Sequence, residues 1–198
     1  SDSDSRVISD WTSSSWPYRL NSQEILSVHG KVRFQGVTDG LINSGDADGT
    51  TAIGYQAGQV LTSGIGSTAI GYQALVSATE NDYNTAVGSR ALYSISGSSG
   101  TEGEANTAVG RYAGYSTTTG GWNVFIGQNA GYGNTTGIYN NFIGAGAGQN
   151  STTANQSTYI GWYAGYYQQV GGNNVAIGHQ TLYGSSGKSN SATANVFN

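Results

Sequence analysis

The sequence predicts an all-β fold: a parallel β-solenoid, or β-roll, of about eight 17-residue coils. Three observations carry this. The dipeptide Ile/Val-Gly recurs with its glycine at Gly54, Gly71, Gly88, Gly110, Gly127, Gly144, Gly161 and Gly178, at spacings of 17, 17, 22, 17, 17, 17 and 17. That period is too short for a helix pair or a propeller blade, and Gly, Asn and Thr are poor helix formers. The residues before each glycine alternate and carry β-branched or aromatic side chains, as in TTAIGYQAG, NTAVGRYAG and NNFIGAGAG. Each coil is therefore expected to hold one short strand, a glycine corner, a second short strand and a polar turn. Coils stack about 4.8 Å apart, so eight make a rod section of roughly 38 Å.

The columns formed by stacking are apolar on both strand faces. Immediately before the corner glycine lie Ile53, Ile70, Val87, Val109, Ile126, Ile143, Ile160 and Ile177. This column never breaks and is expected to point into the coil. One residue earlier lie Ala52, Ala69, Ala86, Ala108, Phe125, Phe142, Tyr159 and Ala176, which must face the other way. A thin coil has room for one core, so the Ala/Phe/Tyr column is expected to meet other chains. Three such faces can share one axis, which predicts a homotrimer, intertwined or side by side.

Around the repeats, residues 1–45 are expected to form an N-terminal cap or joint, since a solenoid end must be blocked. Val28-His29-Gly30-Lys31-Val32-Arg33-Phe34 reads as a small hairpin, and Trp11, Trp16 and Tyr18 with Pro17 as an aromatic cluster upstream. Residues 46–184 form the eight-repeat unit. Residues 185–198 lose the motif, and Ala192–Phe197 reads as a closing strand. The spacing of 22 between Gly88 and Gly110 places five extra residues within Ser94–Ala105, expected to loop outward with the flanking coils in register.

Composition excludes several function classes. Gly supplies 32 of 198 residues without the every-third-position pattern of collagen, and Cys is absent, which removes disulfides and thiolate metal sites. No apolar run approaches the roughly 18–20 residues of a membrane span, so no membrane insertion is expected. Seven Lys and Arg against eleven Asp and Glu give a net charge of −4 with no basic patch, which argues against nucleic acid. All eleven acids lie between Asp2 and Glu104. A surface built from Gly, Asn, Ser, Thr and Gln is typical of extracellular fibrous proteins. With no initiator Met and no signal-peptide pattern, a processed piece of a longer chain is expected.

The motif N-T-A-I/V-G-x-x-A resembles the head repeats of trimeric autotransporter adhesins of the YadA-like left-handed β-roll. It resembles still more closely the N-T-A-V-G-Y-Q-A-L repeats of phage and phage-like tail fibres. The resemblance covers about Thr50 to Tyr183. It implies a homotrimeric, all-β, extracellular or virion fibre that contacts a target cell surface and joins upstream fibre segments. The autotransporter repeat is typically shorter, near fourteen residues, and neither a membrane anchor nor a coiled-coil stalk is visible, which favours the tail fibre. Many such fibres continue into a cleaved C-terminal trimerisation chaperone, so the mature part of a longer precursor is expected. The alternatives are a bacterial trimeric adhesin head and a polysaccharide depolymerase. An ice-binding solenoid would need two columns of Thr; only one is Thr-like, and it breaks at Val124, Asn141 and Val175.

The chemistry expected is binding, with no enzyme activity, catalytic residue, cofactor or metal site. His29 and His179 are isolated, and no Gly-rich segment carries the Lys and Ser/Thr of a phosphate loop. The acid pairs Asp46/Asp48, Glu80/Asp82 and Glu102/Glu104 fall between repeats and read as solvated turns, not as the paired carboxylates of a glycosidase. Aromatic residues carry the stronger signal: thirteen of fourteen tyrosines follow residue 50. Trp162, Tyr163 and Tyr166 lie in Trp162-Tyr163-Ala164-Gly165-Tyr166-Tyr167, which holds more aromatics than one coil can bury. They are the expected glycan-binding residues, with Trp122 a further one. With no Lys/Arg cluster to pair with carboxylate or phosphate, a neutral glycan is the expected ligand.

Overall fold

The structure is a computed structural model. It describes the backbone of 18–21, 24–28, 32–34, 40–42 and 195–197, and the backbone and side chains of 50–61, 65–79, 83–97, 102–169 and 171–184. Two antiparallel pairs precede the repeats: β1 (Tyr18–Asn21) with β2 (Glu24–Val28), and β3 (Val32–Phe34) with β4 (Gly40–Ile42). Of the hairpin expected over 28–34, Val28 ends β2, which pairs with the strand before it, and Val32–Phe34 is β3, which pairs with the strand after; residues 29–31 lie outside the described residues. Trp11, Trp16, Pro17, Asp46, Asp48, Glu80 and Asp82 lie outside the described residues.

The repeats form one parallel sheet. Its strands are β5 (Thr51–Ile53), β6 (Thr68–Ile70), β7 (Thr85–Val87), β8 (Thr107–Val109), β9 (Val124–Ile126), β10 (Asn141–Ile143), β11 (Thr158–Ile160) and β12 (Val175–Ile177). β13 (Asn195–Phe197) adds to β12, with Ile177 opposite Phe197. Each strand is three residues long, in consecutive order and without register shift, so every repeat column is a physical ladder. The register continues across the long repeat, where Thr85 meets Thr107. Its flanks are held by Ser96 N donating to Thr118 O and Gly103 N donating to Thr119 O, while residues 98–101 lie outside the described ones.

A second strand per coil was expected and is not present in the described coils. The residues two and four after the corner adopt left-handed backbone, as at Arg90 (φ 57°) and Leu92 (φ 47°), or Tyr163 (φ 55°) and Gly165 (φ 64°). Left-handed residues at both positions break an extended run. Turns occupy that stretch, and their backbones still bond coil to coil, as in Leu92 N to Ala113 O.

The facing of the strand is the reverse of the expectation. Ala52, Ala69, Ala86, Ala108, Phe125, Phe142, Tyr159 and Ala176 are buried inside the coil. The unbroken Ile/Val column lies outside: Ile53 is 40% exposed and Ile126 38%. Beside it, on the same face, run Thr51, Thr68, Thr85, Thr107, Val124, Asn141, Thr158 and Val175.

Size explains why the smaller column is the inner one. The coil is narrow, and a second buried Ala column, from Ala57 to Ala164, comes three residues after the corner. In most coils what remains is filled by a trade between two columns; where both are small, as at Ala52/Gly58 and Ala108/Gly114, Leu61 or the neighbouring Leu92 and Phe125 fill the space. Where the strand residue is Ala69 or Ala86, the residue four after the corner is Leu75 or Leu92, both buried. Where it is Phe125, Phe142 or Tyr159, that residue is Gly131, Gly148 or Gly165, and a Cβ there would collide with the aromatic ring. Phe142 stacks on Tyr159 at 4.8 Å and lies 5.7 Å from Phe125. Ala-with-Leu and Phe-with-Gly fill similar volumes, as dense packing demands.

The inner wall has a polar rung as well. Four residues before each corner stand Thr50, Ser67, Asn84, Asn106, Asn123, Asn140, Ser157 and Asn174, all buried. Asn123 Oδ1 accepts from Asn140 N (2.9 Å) and Nδ2 (3.1 Å), and Asn106 Oδ1 accepts from Asn123 N (3.1 Å) and Nδ2 (3.0 Å). Asn123 Nδ2 also donates to Gly137 O at 2.8 Å. One side chain thus ties three coils and satisfies the turn that enters the next one.

The corner glycines are fixed by contact between coils. Gly144 has φ 128°, a region open to glycine alone, and a Cβ there would lie 2.5 Å from Gly161 O. Gly144→Ala is expected to cost at least about 2–3 kcal/mol, because strain and displacement of the next coil add. Chemical denaturation measures it, and a loss below about 0.5 kcal/mol would contradict the packing of corner on corner.

Candidate functional site

The corner that closes each strand gathers the aromatic side chains. One and two residues after the glycine, the chain turns outward through the left-handed position. Three residues later it presents the column Gln59, Val76, Tyr93, Tyr115, Tyr132, Gln149, Tyr166 and Tyr183. Stacking at the coil repeat makes ring ladders: Tyr93 on Tyr115 at 5.0 Å, Tyr115 on Tyr132 at 5.1 Å and Tyr166 on Tyr183 at 5.2 Å. Because the left-handed residue recurs in every coil, its strain belongs to the architecture and marks no one site.

Trp162, Tyr163 and Tyr166 come together at this edge. The Trp162 ring is 47% exposed, 4.5 Å from Tyr163 and stacked on His179 at 4.8 Å. Tyr163 stands edge-on to Tyr166 at 4.8 Å, and Tyr167 meets Tyr166 at 4.6 Å. Tyr163 lies over Gly146 of the preceding coil, where a Cβ would collide with its ring. Burial pushes the Tyr183 phenol up, and neighbouring tyrosines add to this. The cluster holds flat apolar faces, phenol hydroxyls and one imidazole, with no formal charge. It can stack sugar rings and exchange hydrogen bonds with their hydroxyls.

Trp122 lies apart from these. It precedes its strand by two residues, at the opposite end from the corner, and stacks on Tyr139 of the next coil at 5.3 Å. Tyr159, by contrast, is wholly inside; burial pushes its phenol up, partly offset by Ser157 and Asn174.

The same edge, nearer the first coils, carries a group that sequence reasoning missed. Arg90 Nη1 donates to the Tyr112 hydroxyl oxygen at 3.1 Å, and Arg111 Nη2 reaches the same oxygen at 3.4 Å. Arg90 Nε donates to Gln73 Oε1 at 2.9 Å. The Arg111 guanidinium lies 4.4 Å from the Tyr112 ring centroid, and that of Arg90 5.5 Å from Tyr72 and 5.9 Å from Tyr93. Tyr112 stands edge-on to Tyr115 at 5.4 Å. The two guanidiniums hold the Tyr112 phenol below its usual range, the Arg90 hydrogen bond foremost. Among the described residues neither arginine has a carboxylate partner. The expectation that no cationic cluster exists is thus corrected. The residues are 21 apart in sequence, but one is second after Gly88 and the other first after Gly110, on stacked coils.

Among the described residues, no group of three or more His, Cys, Asp or Glu could hold a metal ion, and no helix is long and apolar enough to cross a membrane. Glu102 is exposed and Glu104 half-buried. No protein-family model, curated protein or solved structure matches the chain.

Proposed function

We propose that this chain is a structural and receptor-binding segment of a tail fibre, attaching a phage or phage-like particle to a target cell surface through glycan. The observation that carries the reading is the outer sheet face: an unbroken Ile/Val ladder from Ile53 to Ile177, left on the outside of a rod. A continuous apolar strip of this kind marks an association surface. It is one residue wide and repeated in register at every coil, which suits parallel copies of the same rod meeting in register about one axis. Three copies would seal the strip and leave three aromatic edges outward. A charge-poor, glycine- and asparagine-rich solenoid is a rigid spacer, and the Trp162, Tyr163 and Tyr166 edge supplies contacts that three copies would multiply.

The test uses fluorescently labelled chain on a panel of bacterial cells. Saturable binding to a subset of strains is expected, with loss of binding after periodate oxidation of surface sugars. Binding to no strain, or binding indifferent to periodate, contradicts the reading. Trp162→Ala is expected to weaken cell binding by at least about fivefold through lost avidity, with the melting temperature nearly unchanged. If it destabilises the fold and has no separate effect on binding, Trp162 is a packing residue.

A further inference from the structure

We propose that Arg90, Arg111 and Tyr112 form a subsite for the carboxylate of an acidic sugar, with the Tyr93 and Tyr115 rings receiving the sugar ring. The proposal rests on the glycan-binding reading above and adds a second, chemically distinct position to it.

Two cations share one phenol oxygen, and no carboxylate among the described residues offsets them. Bringing two guanidiniums together is unfavourable unless something negative is shared between them. Tyr112 serves only in part: its oxygen accepts from both, but as a neutral phenol it supplies no full charge. Most of the donors stay unclaimed. A guanidinium has five N–H groups; Arg90 commits one to Gln73 and one to Tyr112, and Arg111 commits one to Tyr112. Gln73 Oε1 and the Tyr112 oxygen fix the Arg90 plane from two sides, and the Tyr112 ring under Arg111 limits its swing. A carboxylate is the planar, two-oxygen anion that such forks recognise.

The surroundings select a sugar over a bare ion. Tyr93 and Tyr115 stack at 5.0 Å beside the arginines, and Tyr112 turns its edge toward Tyr115. Tyr132 continues the stack on the other face of Tyr115, so ring edges form the apolar wall next to the anion position, against which the C–H face of a pyranose can lie. The Tyr112 hydroxyl hydrogen remains free to donate to a ring or carboxylate oxygen. The lowered Tyr112 phenol agrees with this strongly cationic setting.

The repeat itself supplies variants that should fold. The Arg90 column holds Gln56, Gln73 and Gln180 in other coils, with the same left-handed backbone, and the Arg111 column holds Gln128 in the next coil. Arg90→Gln and Arg111→Gln therefore remove charge at positions where glutamine is already accommodated. The experiment is calorimetric titration of the full chain with a glucuronate-containing oligosaccharide and with its carboxyl-reduced, neutral counterpart. The acidic form is expected to bind at least about tenfold more tightly, as charge-assisted hydrogen bonds require. Each Arg→Gln variant should abolish that preference with an unchanged circular dichroism spectrum. Equal binding of both forms overturns the subsite and leaves the glycan reading standing. Binding of neither overturns both. Displacement of the acidic form by inorganic phosphate at equal concentration makes this a simple anion site and overturns the sugar assignment.

Discussion

Replacing Phe142 with Ala is expected to cost about 3–5 kcal/mol, and adding Gly148→Leu to the same chain is expected to return most of it. Phe142 is fully buried, stacked between Phe125 and Tyr159, so its removal opens a cavity across three coils. The void adjoins Gly148, whose backbone (φ 56°) resembles that of Leu75 (φ 50°) and Leu92 (φ 47°) at the same place in their coils. Those coils pair the leucine with Ala69 and Ala86, so the double variant rewrites one coil in the form of another. Gly148→Leu alone is expected to be severely destabilising, since even its Cβ would collide with the Phe142 ring. Denaturant unfolding of all four chains measures the coupling. Additive effects would show that the two positions do not share one volume.

The second large effect is at Asn123, where substitution by Ala is expected to lose roughly 3–6 kcal/mol. The amide accepts from Asn140 N, binds Asn106 and Asn140 side chains, and donates to Gly137 O. All of these are buried, so their partners are left without water to replace the lost bonds. Asn123→Ser is expected to be milder, because Ser67 and Ser157 occupy the same ladder and Ser67 Oγ accepts from Asn84 N at 3.2 Å. Equal losses for Ala and Ser would show that volume, not hydrogen bonding, sets the cost.

Much of this fold is legible in the sequence, because a column repeated eight times reports position without any partner. The interval between glycines places every strand and corner, and the three residues before each glycine are the strands. Which strand face turns inward is not legible from apolarity, since both faces are apolar. Constancy of the Ile/Val column suggests a core, yet the constant column is the outer one. The deciding signal is a partial covariation: Ala69 with Leu75 and Ala86 with Leu92, against Phe125 with Gly131 and Phe142 with Gly148, while Ala52 with Gly58 and Ala108 with Gly114 are filled from Leu61 and from Leu92 and Phe125 of the adjacent coils. Residues that trade volume must share a space.

The candidate site divides along the same line. Trp162, Tyr163 and Tyr166 meet because they are local in sequence and flank one turn. Trp122 falls elsewhere because it enters a strand instead of leaving one. Arg90 and Arg111 are obscured by the long repeat between them: only after its five extra residues are set aside do they fall on one corner of adjacent coils.

The outer ladder is tested most directly by sedimentation equilibrium of the intact chain beside Ile126→Glu. Ile126 is 38% exposed on the strip, so the substitution leaves the coil interior untouched. In a closed trimer it would set three carboxylates near one axis without counter-charges. The native chain is expected to sediment at about three times its 20.4 kDa mass, and the variant as a folded single chain. A native chain that sediments at 20.4 kDa would contradict association through the Ile/Val face.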